Sequence, residues 1–506
     1  MPGFYVLNLG CKVNRAESDT MAASCIAAGA ERTPPEDADV AIVNTCTVTA
    51  EADAKTRKAI RRLSRKCSCP VIVTGCAAAI HGSELAGLGE HVVVEPARLK
   101  ASQMAVDVLQ RCGAGDVGDA CLESEADPGA GAACDGRAPA DGMMPGGDAE
   151  CSVLAEGPAK AATDRAHDEG PAETAADDGS ASSASDPNTP IAAFEASSPE
   201  AARVRATGGF KTRMDIKIQD GCPNSCTFCI VHIARGPMVS VDADDVVSQV
   251  ESAACAGVGE VVLTGINLGC YRSRGLRLPG LIERLMQTGI GRVRISSIEP
   301  PHVDEELAGV MAEYGQRICA HLHVPLQSGC DRTLEAMGRL YDTAEFERRI
   351  ALVREARPEL SLTTDVIVGF PGETDGDFEE SLAFCRRIGF SKMHVFRYSR
   401  RKGTPAATME GQVPPETMAA RSARMRELSD QMRLEDAESR VGGRERLLMM
   451  YPTMGMAQSY HEAVVDAPQE VGSFVDVTVT GADADGRLLA SVGPLPDSEG
   501  AARATT

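Results

Sequence analysis

Between residues 215 and 398 six strand-like runs alternate with helical stretches, and this recurrence restricts the fold more than any other feature. The runs are Asp215–Gln219, Glu260–Thr264, Arg292–Ser297, His321–Pro325, Ser361–Val368 and Lys392–Tyr398. Helical stretches such as Ala243–Ala256, Thr343–Ala356 and Asp377–Ile388 separate them. Repeated βα units of this kind build a partial, open parallel barrel of six strands. Ligands gather at the carboxyl ends of such strands. Directly after the first run stands Asp220-Gly-Cys-Pro-Asn-Ser-Cys-Thr-Phe-Cys-Ile230, which carries Cys222, Cys226 and Cys229 in a C-x3-C-x2-C array.

Three thiolates on one short loop can hold three irons of a cubane [4Fe–4S] cluster and leave the fourth open. Soft thiolates suit iron–sulfur clusters or zinc. Structural zinc takes a closed set of four ligands, and this loop offers three. The cysteine pattern therefore points to a cluster with one exchangeable position.

The N-terminal part is a second α/β unit. Phe4–Leu9, Val40–Thr45, Val71–Thr74 and Val92–Glu95 read as buried parallel strands, and Glu17–Ala28 and Ala52–Lys66 as helices. Cys11, Cys46 and Cys76 each follow one of these strands at once or nearly so. Parallel strands end along one edge, so the three thiols can converge there as a second ligand set. Three buried structural cysteines would give the same spacing, and spacing alone does not choose between them.

Residues 113–205 are rich in Ala, Gly, Asp, Glu, Ser and Pro. From Gly113 to Glu200 there are 19 acidic residues and only Arg137, Lys160 and Arg165 as bases, so 16 of the chain's 22 net negative charges fall in this segment. Such a stretch cannot bury enough surface to offset chain entropy and is expected to be a disordered insert. Its cysteines, Cys121, Cys134 and Cys151, have no ligand-like setting. Overall charge is thus a poor guide to the binding surface. Glu416–Ser439 reads as a connecting helix, and residues 441–493 as a small antiparallel β-barrel. No stretch is long and apolar enough to span a bilayer, and the first residues lack the marks of a signal peptide. A cytoplasmic protein with reduced thiols is expected.

The two cysteine sets, in this order and in the contexts Asn8-Leu-Gly-Cys-Lys-Val-Asn14, Asn44-Thr-Cys-Thr-Val-Thr49 and Thr74-Gly-Cys-Ala77, resemble the radical S-adenosylmethionine methylthiotransferase family. The resemblance covers nearly all of the chain except 113–205. It implies a methylthiotransferase domain over 1–112, the acidic insert over 113–205, a radical core over 206–438 and a TRAM-like RNA-binding barrel over 439–495. It also implies two [4Fe–4S] clusters, an auxiliary one on Cys11, Cys46 and Cys76 and a radical one on Cys222, Cys226 and Cys229. S-adenosylmethionine would bind the open iron of the second and be cleaved to a 5′-deoxyadenosyl radical. Cys67 and Cys69 match no ligand of the family. His232 stands where Pro is usual after the triplet, and Arg15 and Ala16 replace residues often Gln and Tyr.

Gly10-Cys-Lys-Val-Asn14 and Asn44-Thr-Cys-Thr-Val-Thr-Ala-Glu-Ala-Asp53 are most similar to the branch that methylthiolates carbon 2 of N6-threonylcarbamoyladenosine in tRNA. The isopentenyladenosine branch tends to read Gly-Cys-Gln-Met-Asn, and the ribosomal-protein branch Gly-Cys-Pro-Lys-Asn. A noncatalytic iron–sulfur RNA-binding protein is the reading from another class. By resemblance, Gly265, Asn267, Ser297, Glu299 and Gln327 line the cofactor at the barrel's strand ends. No general acid or base is assignable. Arg397, Arg400, Arg401 and Lys402 are candidates for phosphate or a substrate carboxylate. Lys58, Arg61, Arg62 and Arg65 share a helix face that can take an RNA backbone, or serve as a plain solvated face. The implied partners are tRNA carrying threonylcarbamoyladenosine, an electron donor such as flavodoxin or ferredoxin, and a sulfur source, with no membrane.

Overall fold

The computed structural model describes residues 1–113 and 212–493. The expected disorder of the acidic segment, and Cys121, Cys134 and Cys151 within it, lie outside the described residues.

Apolar β-branched runs make the N-terminal sheet. Its strands are β1 (Gly3–Asn8), β2 (Glu31–Arg32), β3 (Val40–Thr45), β4 (Val71–Gly75) and β5 (Val92–Val94). They pair in parallel in the order β2-β1-β3-β4-β5. Val40–Val43 and Val71–Val73 are fully buried, as a sheet covered on both faces requires. Four helices alternate with the strands: α1 (Lys12–Ala27), α2 (Ala50–Lys66), α3 (Cys76–Ala86) and α4 (Arg98–Gly113). Thr49 caps α2 by accepting from the Ala52 backbone N–H at 3.1 Å. Two features differ from the sequence reading. Strand β2 consists of two exposed residues and has no apolar signal. Helix α1 begins at Lys12 rather than Glu17, because no breaker interrupts Lys12–Ala16 and Val13, Asn14 and Ala16 already bury.

The middle of the chain contains β6 (Arg213–Lys217), β7 (Gln219–Asp220), β8 (Val239–Ser240), β9 (Glu260–Thr264), β10 (Arg292–Ile295), β11 (His321–His323), β12 (Ser361–Val368) and β13 (Lys392–Arg397). The six expected strands form two parallel sheets, β10-β9-β6 and β11-β12-β13. Bridges at Val293–Ile318 and Ser297–His323 join them into the open barrel. Strands β7 and β8 form a short antiparallel pair at the mouth. A one-turn helix, α5 (Val231–Arg235), follows the cysteine triplet.

The N-terminal unit packs α1 against β6, at one edge of the opening. Ala50 donates to Ser399 Oγ at 3.0 Å, just beyond β13 at the other edge. The open side of the barrel is thus flanked by the N-terminal sheet.

Helix Pro415–Ser439 leads to a closed barrel of β14 (Arg444–Tyr451), β15 (Met454–Met456), β16 (Glu462–Val465), β17 (Phe474–Ala482) and β18 (Leu488–Val492). Four of its pairings are antiparallel as expected; β16 and β18 close it in parallel. It docks on two fully buried arginines of β10. Arg292 donates to the carbonyls of Arg446 and Met456, each at 3.0 Å, and Arg294 to those of Gln458 and Ala457 at 3.1 and 2.9 Å. Both also pair with the buried Glu260, whose single negative charge offsets part of theirs.

Candidate active site

Strands β1, β3 and β4 lie side by side, and their carboxyl ends place the first cysteine set. Cys11 is the extended residue before α1, Cys46 follows β3, and Cys76 opens α3. Gly75 has φ +96°, and a Cβ there would stand 2.5 Å from Asn44 Oδ1, so the turn into Cys76 needs glycine. Asn14 fixes the neighbouring turn. Its Nδ2 donates to Asn44 Oδ1 at 2.8 Å and to the Thr45 carbonyl at 3.0 Å, while its Oδ1 accepts from Cys11 Sγ at 3.3 Å.

The radical loop stands at the mouth of the barrel beside β6. Cys222, Cys226, Cys229, Cys11, Cys46 and Cys76 all line one cavity of about 580 Å³. A larger concavity of about 1090 Å³ beside β14 is lined by charged groups such as Arg357, Arg440 and Arg444 and contains no cysteine. The cysteine-lined cavity is therefore the chemical site.

Burial pushes the Cys46 and Cys229 thiols up to about 11, with neighbouring cysteines adding to the effect in each set. Buried thiols of this kind stay protonated until a metal displaces the proton. Positive charge stands ready for the charge that follows. Arg339 donates to Cys226 Sγ at 3.0 Å and pairs with Glu299 at 2.8 Å. Arg98 reaches Cys76 Sγ at 3.6 Å. Arg235, on α5, donates to Asn14 Oδ1 at 3.0 Å and to Glu17 and Asp220 at 3.0 and 2.8 Å. One arginine of the radical loop region is thereby built into the turn that holds Cys11.

Four of the five expected cofactor residues line the cavity: Gly265, Ser297, Glu299 and Gln327. Gln327 has φ +67°, a strained conformation of the kind found at functional sites. Asn267 is not on the wall. It is buried behind it, and neither atom of its side-chain amide has a hydrogen-bond partner. His323, Asp365 and His394 bring one ligand-type atom each within 4.8 Å of one another on the cavity wall. Burial lowers the His394 pKa despite the opposing charge of Asp365.

The basic residues beyond β13 separate. Arg397 lines the cavity. Arg401, expected as a ligand-binding group, is instead buried and bonds to Thr47 and Asp53, each at 2.6 Å, tying the strand to the N-terminal unit. Arg400 donates to the Ala407 carbonyl. Cys67 and Cys69 are buried at the start of β4, the end opposite Cys76. Lys58, Arg61, Arg62 and Arg65 stand on the exposed side of α2, opposite buried Thr56, Ile60 and Leu63.

Sequence reasoning missed Arg98, Arg235, Arg339 and Tyr460. Arg235 had a weak signal in its closeness to the triplet. Tyr460 had none, because it comes from the C-terminal barrel and yet lines the cavity.

A partial barrel with three cysteines at its mouth and a further strand-end cavity defines a radical S-adenosylmethionine enzyme. The family model "Radical SAM superfamily" matches residues 216–385, and "Uncharacterized protein family UPF0004" matches residues 3–94. The threonylcarbamoyladenosine tRNA methylthiotransferase MtaB of Bacillus subtilis is 34% identical over 436 residues, covering 85% of this chain and 80% of that protein. The tRNA-2-methylthio-N(6)-dimethylallyladenosine synthase of Methylococcus capsulatus is 36% identical over 279 residues, covering 52% of this chain and 61% of that one. The radical S-adenosylmethionine methyltransferase TsrM of Kitasatospora setae shares the fold, with a TM-score of 0.50 at 16% identity over 80% of this chain and 74% of that one. The chain belongs to the radical S-adenosylmethionine methylthiotransferase family and is an enzyme of that class.

Membership implies a [4Fe–4S] cluster and S-adenosylmethionine. The residues present fit both. Three thiols share one loop on the cavity, a buried guanidinium contacts one of them, and the orphaned Asn267 amide lies beside the wall. Among the described residues no helix is long and apolar enough to cross a membrane.

Proposed function

We propose that the enzyme replaces the hydrogen on carbon 2 of N6-threonylcarbamoyladenosine, in tRNA, with a methylthio group. The observation that carries this reading is that two cysteine triads line one cavity. One triad, Cys222, Cys226 and Cys229, would hold the radical cluster; the other, Cys11, Cys46 and Cys76, would hold a second [4Fe–4S] cluster as the place of sulfur transfer. Bound there, the two clusters and S-adenosylmethionine supply radical chemistry at an unactivated carbon and a source of methylated sulfur. The donor of electrons and the source of sulfur come from outside, and a cytoplasmic setting suits both them and a tRNA substrate.

The chain's own residues bind, orient and exclude water. Arg339, Arg98 and Arg235 offset negative charge at the two triads. Gly265, Ser297 and Gln327 offer backbone and polar contacts to the adenosyl and methionyl parts. The exposed bases of α2 take the RNA backbone outside the cavity. An anticodon-loop base is already single-stranded, so its entry costs less than flipping from a duplex. The choice of threonylcarbamoyladenosine follows the relatives that align over most of both chains, which carry that activity in their names.

The test is mass spectrometry of nucleosides from tRNA treated anaerobically with reconstituted protein, reductant and S-adenosylmethionine. Intact protein is expected to yield 2-methylthio-N6-threonylcarbamoyladenosine, and Cys46→Ala and Cys226→Ala none. Methylthiolation of isopentenyladenosine instead would overturn the substrate and keep the reaction.

A further inference from the structure

Several cations on or near the cavity wall already have carboxylate partners. Arg235 meets Glu17 and Asp220, and Arg339 meets Glu299. Just behind the wall, Arg213 and Arg294 share Glu260. Lys12 differs. It lines the cavity at the start of α1 and makes no ion pair within 4.0 Å among the described residues, although the buried Asp215 feels its charge. Its ammonium stands 5.3 Å from the centre of the Tyr460 ring.

Tyr460 lies against His321, with ring centres 4.5 Å apart. The guanidinium groups of Arg294 and Arg213 lie 4.9 and 5.9 Å from its ring. Its backbone is held at φ +71°, which a residue other than glycine adopts only under constraint. Tyr460 lines the same cavity as Lys12, and a phenol hydroxyl there can donate to an anionic group. Lys12 is half-buried, and an ammonium facing a cavity is a ready partner for an anionic group. A hydroxyl donor beside it completes a two-point fit for one anionic group.

We propose that Lys12 and Tyr460 form a carboxylate subsite that reads the modification on the substrate base. On the reading of function given above, on which this rests, the group is the threonyl carboxylate of threonylcarbamoyladenosine. The ammonium takes one oxygen and the phenol donates to the other. The subsite spans the whole chain, since Lys12 belongs to the N-terminal unit and Tyr460 to the last barrel. An isopentenyl group has no charge to place there. The methionyl carboxylate of the cofactor is the other source of the same chemistry, and the experiment separates them.

The experiment measures binding of fluorescein-labelled anticodon stem-loops to the cluster-loaded full chain by anisotropy. One RNA carries threonylcarbamoyladenosine and the other its methyl ester, which removes the charge and little else. Wild type is expected to prefer the acid by about tenfold or more, the range of a charge-assisted pair. Lys12→Gln and Tyr460→Phe are expected to bring the ratio towards one, and Lys12→Arg to restore it. Iron and sulfide content equal to wild type shows that each variant keeps its clusters, and an unchanged dissociation constant for S-adenosylmethionine assigns the subsite to the RNA. Full preference in Lys12→Gln overturns the proposal, as does its loss in Arg397→Gln instead or a weakened cofactor in Lys12→Gln. Equal modification of acid and ester by wild type overturns the subsite alone. No product from the acid-bearing RNA overturns the assigned substrate as well.

Discussion

Glu17 is buried, and three cations, Arg98, Lys217 and Arg235, meet its two oxygens at 3.0 Å each. Burial alone would raise its pKa; Lys217, Arg235 and Arg98 outweigh burial and hold it at about 2, against an ordinary 4.5. A carboxylate with a depressed folded value stabilises fully above its unfolded value and loses that contribution as pH falls through the folded one. The window is therefore from about 4.5 down to about 2. Glu17→Gln is expected to cost on the order of 3 kcal/mol at pH 7 and distinctly less at pH 3. Urea unfolding of wild type and variant at the two pH values checks this, and an equal difference at both would refute it. At this scale the gathering of the six cysteines on one cavity was legible, because three stand at parallel strand ends and three in one short array. Arg235 and Arg339 were not, because a buried arginine has the same letter as a solvated one. Only the fold shows which carboxylate or thiol it meets.

Elements carry the next level. The turn from β4 into α3 puts Cys76 in place, and a chain of contacts links it to Cys11: Gly75 against Asn44, Asn44 to Asn14, and Asn14 to Cys11. Gly75→Ala meets two obstacles, a positive φ and a Cβ crowding Asn44. It is expected to lower iron content by about half on the two-cluster reading, while cofactor cleavage to 5′-deoxyadenosine persists. Iron and sulfide quantification with a parallel cleavage assay reads both; unchanged iron would show that the turn tolerates a side chain. Most strands were legible because buried parallel strands are continuous apolar runs. Strand β2 was not, being two polar edge residues. The start of α1 was misplaced because the helix opens with residues that serve the site, Lys12 and Asn14, and carry little helical periodicity. The parallel closure between β16 and β18 has no local sequence signal, since alternation marks a strand and not its neighbour.

Across the whole molecule the three folded parts share side chains at one place. Arg401 bonds to Asp53 across one edge of the barrel, Arg235 to Glu17 across the other, and Arg292 and Arg294 hold the last barrel. The described residues that line the cavity come from 1–113 and 212–493. Deletion of residues 115–200 is expected to leave iron content and nucleoside product within about twofold of wild type, since a segment of that composition has little apolar surface to bury. Loss of the clusters in that deletion would give the segment a structural role. The succession of α/β sheet, open parallel barrel and small closed barrel was legible from strand pattern and motif. The convergence of Lys12 and Tyr460 was not, because contacts across more than four hundred residues leave no periodicity. Tyr460 also has a consequence for the making of the protein. Ribosomes deliver all six of these cysteines by Cys229, and the cavity gains its tyrosine only much later in synthesis. Until then the thiols lie in a cavity without this part of its wall, open to whatever delivers iron and sulfide, and the last barrel completes it.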